Sequence, residues 1–225
     1  MHTLITGRLP DILLAPCIVE LRTQNRDVNI DTFRAWLFNS GIKYTGFETT
    51  ETSIHRAPIK AIVAFSNKDD ANRLIEHAEK TRKGNLVWSD IIIPPVLKIQ
   101  APQIRSQSYS GGHESYASLT VAFSPAERPD GFEFEFESKA LREERGIENN
   151  ENWWSADLAS SLAKKTADHL IHRFAASGRP ESIRIQIQEI LYRETFRWEW
   201  GAYYCLEQCL TEMLKDLNIT AREAQ

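Results

Sequence analysis

Ser110-Gly111-Gly112-His113-Glu114-Ser115-Tyr116-Ala117-Ser118-Leu119-Thr120-Val121 is the stretch on which the reading of this chain turns. The glycine pair and the polar residues after it form a turn, and strict alternation starts directly beyond. Ala117, Leu119, Val121 and Phe123 share one face of a strand, with Ser118, Thr120 and Ala122 on the other. Phe132, Phe134 and Phe136 then alternate with Glu133, Glu135 and Glu137. Period two turns the phenylalanines inward and the glutamates outward, as a solvated face that guards the strand against aggregation. Between the two strands, Ser124-Pro125-Ala126-Glu127-Arg128-Pro129-Asp130-Gly131 is rich in turn chemistry, so they are expected to pair as a hairpin with a longer loop.

Outward from this point, Trp154, Leu158, Leu162, Thr166, Leu170 and Phe174 recur every four residues and predict a long helix over about 153–176. The small Ala159, Ala163 and Ala167 let it approach a sheet, and Ser177-Gly178-Arg179-Pro180 ends it. Ile183, Ile185 and Ile187 mark another half-buried strand, and Tyr203, Leu206, Leu210, Met213 and Leu217 the inner stripe of a last helix over 200–217. The order is ββαβα after a connecting strand.

The first half is read as βαββαβ. Its strands are 17–21, 43–50, 59–65 and 86–93. Ile30, Phe33 and Leu37 place one helix, capped at Asn29 or Asp31 and stopped at Gly41. Ala71, Leu74, Ile75 and Ala78 place the other, with Gly84 after its end. Such an order most economically forms a four-stranded antiparallel sheet with both helices on one face, the ferredoxin-like arrangement. Pro94, Pro95, Pro102 and the polar run Arg105 to Gly112 interrupt pairing, which sets two domains, 1–103 and 104–225, in an α+β chain. Residues 95–100 are an extended connection free to pair with either sheet.

Residues 1–103 carry 13 basic and 11 acidic side chains and residues 104–225 carry 14 and 20, so the halves are +2 and −6. An acidic second half argues against autonomous, charge-driven binding to duplex nucleic acid. No apolar run is long enough to cross a bilayer and no secretion signal is expected. Three cysteines, Cys17, Cys205 and Cys209, make neither a disulfide framework nor a zinc ribbon, which points to a cytoplasmic protein with buried thiols. Cys205 and Cys209, one helical turn apart, and the nearby Asp168, His169 and His172 permit only an imagined zinc site, and no metal is expected.

The order ββαβα, together with Ser110-Gly111-Gly112-His113-Glu114-Ser115-Tyr116 at its entrance, resembles the fourth domain of elongation factor G over residues 105–220. The preceding ferredoxin-like unit resembles the third domain of the same translational GTPases. The resemblance implies a fold of the left-handed βαβ superfamily and a finger that reaches into the ribosome. It also implies two tip loops, one at Gly111, Gly112, His113 and Tyr116, the other at Arg193, Phe196, Arg197 and Trp198. Relatives carry a histidine in the second loop; Tyr192 to Trp200 here has none, and Phe196, Arg197 and Trp198 would replace it as a stacking surface. Of the two tryptophans there, Trp198 is expected to face outward in preference to Trp200.

No Gly-x-x-x-x-Gly-Lys-Ser/Thr phosphate loop occurs, so the resemblance does not extend to GTP binding, and no nucleotide or other cofactor is expected. No nucleophile elbow is present either. The chain therefore reads as a non-catalytic binding module rather than an enzyme. Its partner is the ribosome or its RNA; the competing partner is a protein, with the chain acting as an adaptor, immunity-type inhibitor or assembly subunit. A small-molecule kinase of the same left-handed superfamily is a weaker possibility, unsupported by any glycine-rich phosphate loop.

Overall fold

A computed structural model of the chain describes residues 2–23, 30–49, 60–82, 85–111, 116–143, 154–193 and 198–223. Its elements run β1 (His2–Arg8), α1 (Asp11–Leu14), β2 (Cys17–Thr23), α2 (Ile30–Asn39), β3 (Gly46–Thr49), β4 (Lys60–Phe65), α3 (Lys68–Arg82), β5 (Leu86–Trp88) and β6 (Val96–Leu97). There follow β7 (Gln103–Ser110), β8 (Tyr116–Ser124), β9 (Gly131–Glu137), β10 (Leu141–Glu143), α4 (Trp154–Ser177), β11 (Arg179–Pro180), β12 (Ile183–Arg193) and α5 (Trp198–Glu223). The architecture is α+β, and it divides into two compact units.

The smaller unit is Pro10–Pro94, joined by Phe174–Ala176. Its sheet has the order β3-β4-β2-β5, antiparallel throughout. Ala61, Val63 and Phe65 of β4 and Cys17, Val19 and Leu21 of β2 turn to one core, which Phe33, Trp36 and Leu37 of α2 and Ala71, Leu74 and Ala78 of α3 complete. Burying side chains of this size contributes roughly 1.5–3 kcal/mol each. Asn67 starts α3 by accepting the backbone N–H of Asp70 at 2.8 Å, which satisfies one of the free donors of the first turn. The third predicted strand holds, although Ile59 lies outside the described residues. The fourth is shorter than expected, since after Trp88 only an isolated bridge joins Ile18 to Ile92.

The larger unit comprises Met1–Leu9, Pro95–Arg173 and Ser177–Gln225. The expected boundary at residue 103 is therefore corrected twice. Residues 95–103 belong to the larger unit, and so do the first nine, because β1 pairs with β9 along its whole length, from His2 opposite Glu137 to Arg8 opposite Gly131. The sheet order is β1-β9-β12-β8-β7, with β10 continuing the β9 side of β12. β12 is parallel to β9 and antiparallel to β8. The predicted β8–β9 hairpin does not form, because β12 inserts between them; turn chemistry reverses the chain without choosing the partner. β8 instead pairs with β7. The polar run from Arg105, expected to be a break, is as far as Ser110 the edge strand β7, whose alternate residues are half-buried.

Phe123, Phe134 and Phe136 are fully buried, and α5 covers the sheet through β7 and β8. α4 buries Leu158, Leu162, Thr166 and Leu170, with Ala159 and Ala163 beside them. It packs beside α5: the Lys165 ammonium lies 6.0 Å from the Tyr203 ring centroid, and His169 bonds Thr211 at 2.9 Å. α4 ends at Ser177. Gly178 follows with φ +82°, and a Cβ there would lie 2.4 Å from the carbonyl oxygen of Pro95. Only glycine fits that approach, and it lets β11 pair with β6, so the 95–100 connection joins the larger unit.

Candidate binding surface at the strand ends

The ends of β7, β8 and β12 and the start of α5 converge at one end of the larger unit. Tyr116 stands opposite both Ser110 and Arg193 in the register, and the Arg193 guanidinium lies 5.9 Å from the Tyr116 ring centroid. A cation over an aromatic face is held by the ring quadrupole. Gly111 follows β7, and a Cβ on it would meet the Tyr109 hydroxyl at 2.7 Å. Gly111, Tyr116 and Arg193 are thus brought together. Gly112, His113, Phe196 and Arg197 lie outside the described residues.

Trp198 corrects the expectation. It is 7% exposed and stacks on Tyr192, with ring centroids 4.3 Å apart. The residue presented to solvent is Trp200, at 73% exposure. Both residues sit in the first turn of α5, where neighbours two apart point to different sides, so one is buried and the other exposed. Tyr204, one turn beyond Trp200, is exposed and packs at a tilt near Tyr109, with centroids 5.5 Å apart. Gly201 makes this possible: a Cβ there would sit 2.9 Å from the Ala117 Cβ and 3.0 Å from Tyr109 Cδ1.

The outer face of the sheet differs from the solvated acid row that alternation predicts. Glu133 and Glu135 are buried. The register puts Arg184 beside Glu133 and Gln186 beside Glu135. Arg184 donates to Glu135 Oε2 at 2.7 Å, and His2 Nε2 lies 3.1 Å from Oε1 of the same carboxylate. The backbone N–H of Glu127 donates to Glu133 Oε1 at 3.0 Å. Arg184's hydrogen bond, against the opposing pull of burial and with help from His2, holds the Glu135 carboxyl below its ordinary range. His2, Glu135 and Glu137 bring three possible metal-ligand atoms within 4.8 Å of one another. Arg184 on Glu135 and Lys139 on Glu137 already balance those carboxylates, so the group is an ion-pair network.

Cys205 and Cys209 are buried in the core, and Cys205 Sγ lies 3.7 Å from the Ala117 carbonyl oxygen. Burial pushes the two thiols up to about 11 and about 12, which leaves them protonated and unreactive at neutral pH. His169 faces Thr211, whose hydroxyl donates to the Glu207 carbonyl at 2.8 Å. That hydroxyl therefore accepts from Nε2–H of His169, which fixes a neutral tautomer. Burial, with smaller contributions from Arg173 and His172, pushes the imidazole down to about 4.

At the other end of the sheet, Thr6 to Arg8 and Glu127 to Gly131 line a polar cleft with Glu133. Its Asp130 carboxylate is shared by Arg8 of the cleft and by Arg179, at 3.9 and 3.5 Å. No helix among the described residues is long and apolar enough to cross a membrane.

No protein family matches this chain, and no curated protein does. Among solved structures, a protein of Thermus thermophilus is similar over 92% of this chain and 29% of its own length, at 11% identity and a TM-score of 0.38. The chain thus spans less than a third of that protein, at a similarity too weak to assign fold or activity.

Proposed function

We propose that this chain is a non-catalytic binding module, similar to the third and fourth domains of a translational GTPase, that acts on the ribosome or another part of the translation machinery through the tip of its larger unit. The single observation that carries the reading is the tip itself. Tyr116 and Arg193 form a cation–aromatic pair at the strand ends, and Trp200 stands exposed on the first turn of α5. Exposed aromatic and arginine side chains are the residues that dominate binding energy where a partner meets them. Gly111 brings the backbone to the same place.

Two features of the fold support the family comparison. The smaller sheet, in the order β3-β4-β2-β5 with helices between its strands, fits a ferredoxin-like domain. In the larger unit, β9-α4-β12 is a parallel crossover between neighbouring strands, followed by α5, as a fourth-domain-like fold requires. Cosedimentation with ribosomes tests the reading. Binding should be lost on nuclease treatment and weaken about tenfold or more in Arg193→Glu with Trp200→Ala. Retention of a single protein partner after nuclease, with no ribosomal enrichment, would overturn it. A second reading, a protein-binding adaptor, is favoured by the carboxylates Glu212 and Asp216 on the exposed flank of α5, which suit a basic protein better than RNA.

A further inference from the structure

We propose that the outer edge of β7 takes up an extended, basic polypeptide segment as an added strand. The surface runs along the length of the strand rather than at its tip and does not depend on the ribosomal reading. Among the described residues β7 pairs only with β8, over eight residues without a bulge, so its other edge offers a row of backbone donors and acceptors. Natural edges are usually closed by lysine, proline or a bulge. β7 has none of these, and its one charged side chain, Arg105, is drawn to Asp216 and Gln103 at 2.5 and 3.1 Å.

α5 forms one wall beside this edge. It runs antiparallel to β7, with Tyr204 at Tyr109, Glu212 Oε1 2.7 Å from Gln107 Nε2, and Asp216 at Arg105. Two residues of strand and four of helix both advance about 6–7 Å, so the last two contacts stay in step. Glu212 and Asp216 therefore follow the edge strand, with Tyr204 toward its Tyr109 end. On the opposite face of β7, Ile104 is 60% exposed.

An added strand would alternate accordingly. Its side chains on the α5 side would meet the rings of Tyr109 and Tyr204 at one end and, toward the other, Glu212, whose carboxylate accepts from the uncharged Gln107 amide, a combination that attracts arginine or lysine by cation–π and ionic contact. Those on the opposite side would meet Ile104 and the serines of β7, which suits small or β-branched residues. The carboxylates repel a phosphodiester strand. The occupant is thus a basic polypeptide, added to the sheet by main-chain hydrogen bonds.

The test uses the full chain and a fluorescein-labelled peptide with arginine at every odd position and valine or threonine at every even one, followed by anisotropy. Binding should saturate and weaken about tenfold in Glu212→Lys, with a smaller loss in Tyr204→Ala and none in Glu76→Gln, which lies on α3. N-methylating alternate peptide amides separates strand addition from charge alone. One set of amides faces β7 and its methylation should cost about tenfold or more, while the other set is tolerated. Equal sensitivity of the two sets, equal loss in Glu76→Gln, no binding at about 1 mM peptide, or tighter binding of a single-stranded oligonucleotide would each overturn the proposal. So would a concentration-dependent dimer that the peptide cannot dissociate.

Discussion

In the unit of residues 10–94 the most distant β partners are Ile18 and Ile92, whereas the larger unit pairs His2 with Glu137 and carries its chain through the whole smaller unit before the sheet is completed. One unit is a continuous stretch but for Phe174–Ala176; the other is a sheet interrupted between its first strand and the rest. Pairing across a long excursion costs more loop-closure entropy than pairing across a short one, and slows folding. The smaller unit can therefore form from its own residues, while the larger one is complete only when the chain returns. The difference also places the two kinds of surface: the strand-end tip and the edge of β7 that meets no strand among the described residues both belong to the interrupted unit.

Removal of residues 1–9 is the most direct way to break this comparison. It strips seven paired residues from β9, the buried Leu9, and the Leu9 N–H bond to the Asp130 carbonyl. The larger unit should lose on the order of 3 kcal/mol or more in urea unfolding. The transition of residues 10–94, followed separately by hydrogen exchange, should stay where it was. A common shift of both transitions would mean that the two units unfold as one.

Acid sharpens the same contrast. His169 is held neutral at a value of about 4, below its ordinary 6.5, chiefly by burial. The unfolded chain binds a proton there at higher pH than the folded one does. Stability from this group is therefore whole above pH 6.5 and declines as the pH falls, until both states are protonated near pH 4. The loss should be on the order of 3 kcal/mol and fall on the larger unit. Glu135, whose carboxyl is lowered chiefly by Arg184, adds a loss that begins only in the carboxylate range. His169→Gln should flatten the slope between pH 6.5 and 4 without changing the steeper fall below it; a slope unchanged by this substitution would assign the acid sensitivity elsewhere.

What could be read from the sequence follows the same division. Ala61, Val63 and Phe65 alternate, and Phe33 and Leu37 keep helical spacing, because their partners are a sheet and a helix that bury one side only. The phenylalanines of β9 and the stripe of α4 are legible for that reason. β7 is not, since its inward side chains are Gln103, Arg105, Gln107 and Tyr109, of which Arg105 and Gln107 bond Asp216 and Glu212 of α5 where an apolar contact would otherwise mark the strand. The burial of Glu133 and Glu135 is hidden as well, because alternation assigns a side chain to a face but not the neighbours on that face. At the tip, Tyr116 and Arg193 can be named from sequence, as residues of the expected tip loops, whereas the exchange of Trp198 for Trp200 depends on where α5 begins. A shift of one turn in that start would leave Trp198 outside the helix, and nothing in Arg193 to Trp200 fixes it.

Trp200→Ala is the smallest perturbation and the one that separates surface from core within the interrupted unit. At 73% exposure, with no role in closing the sheet, its loss should change unfolding by no more than about 0.5 kcal/mol. The same truncation of Trp198 would open a cavity against Tyr192 and lower stability. If Trp200 belongs to a partner surface, its replacement should weaken partner binding while the urea midpoint stays fixed. Loss of stability together with loss of binding would instead make Trp200 part of the packing that holds α5 on Tyr109, and would leave Arg193 over Tyr116 as the element of the tip on which recognition has to rest.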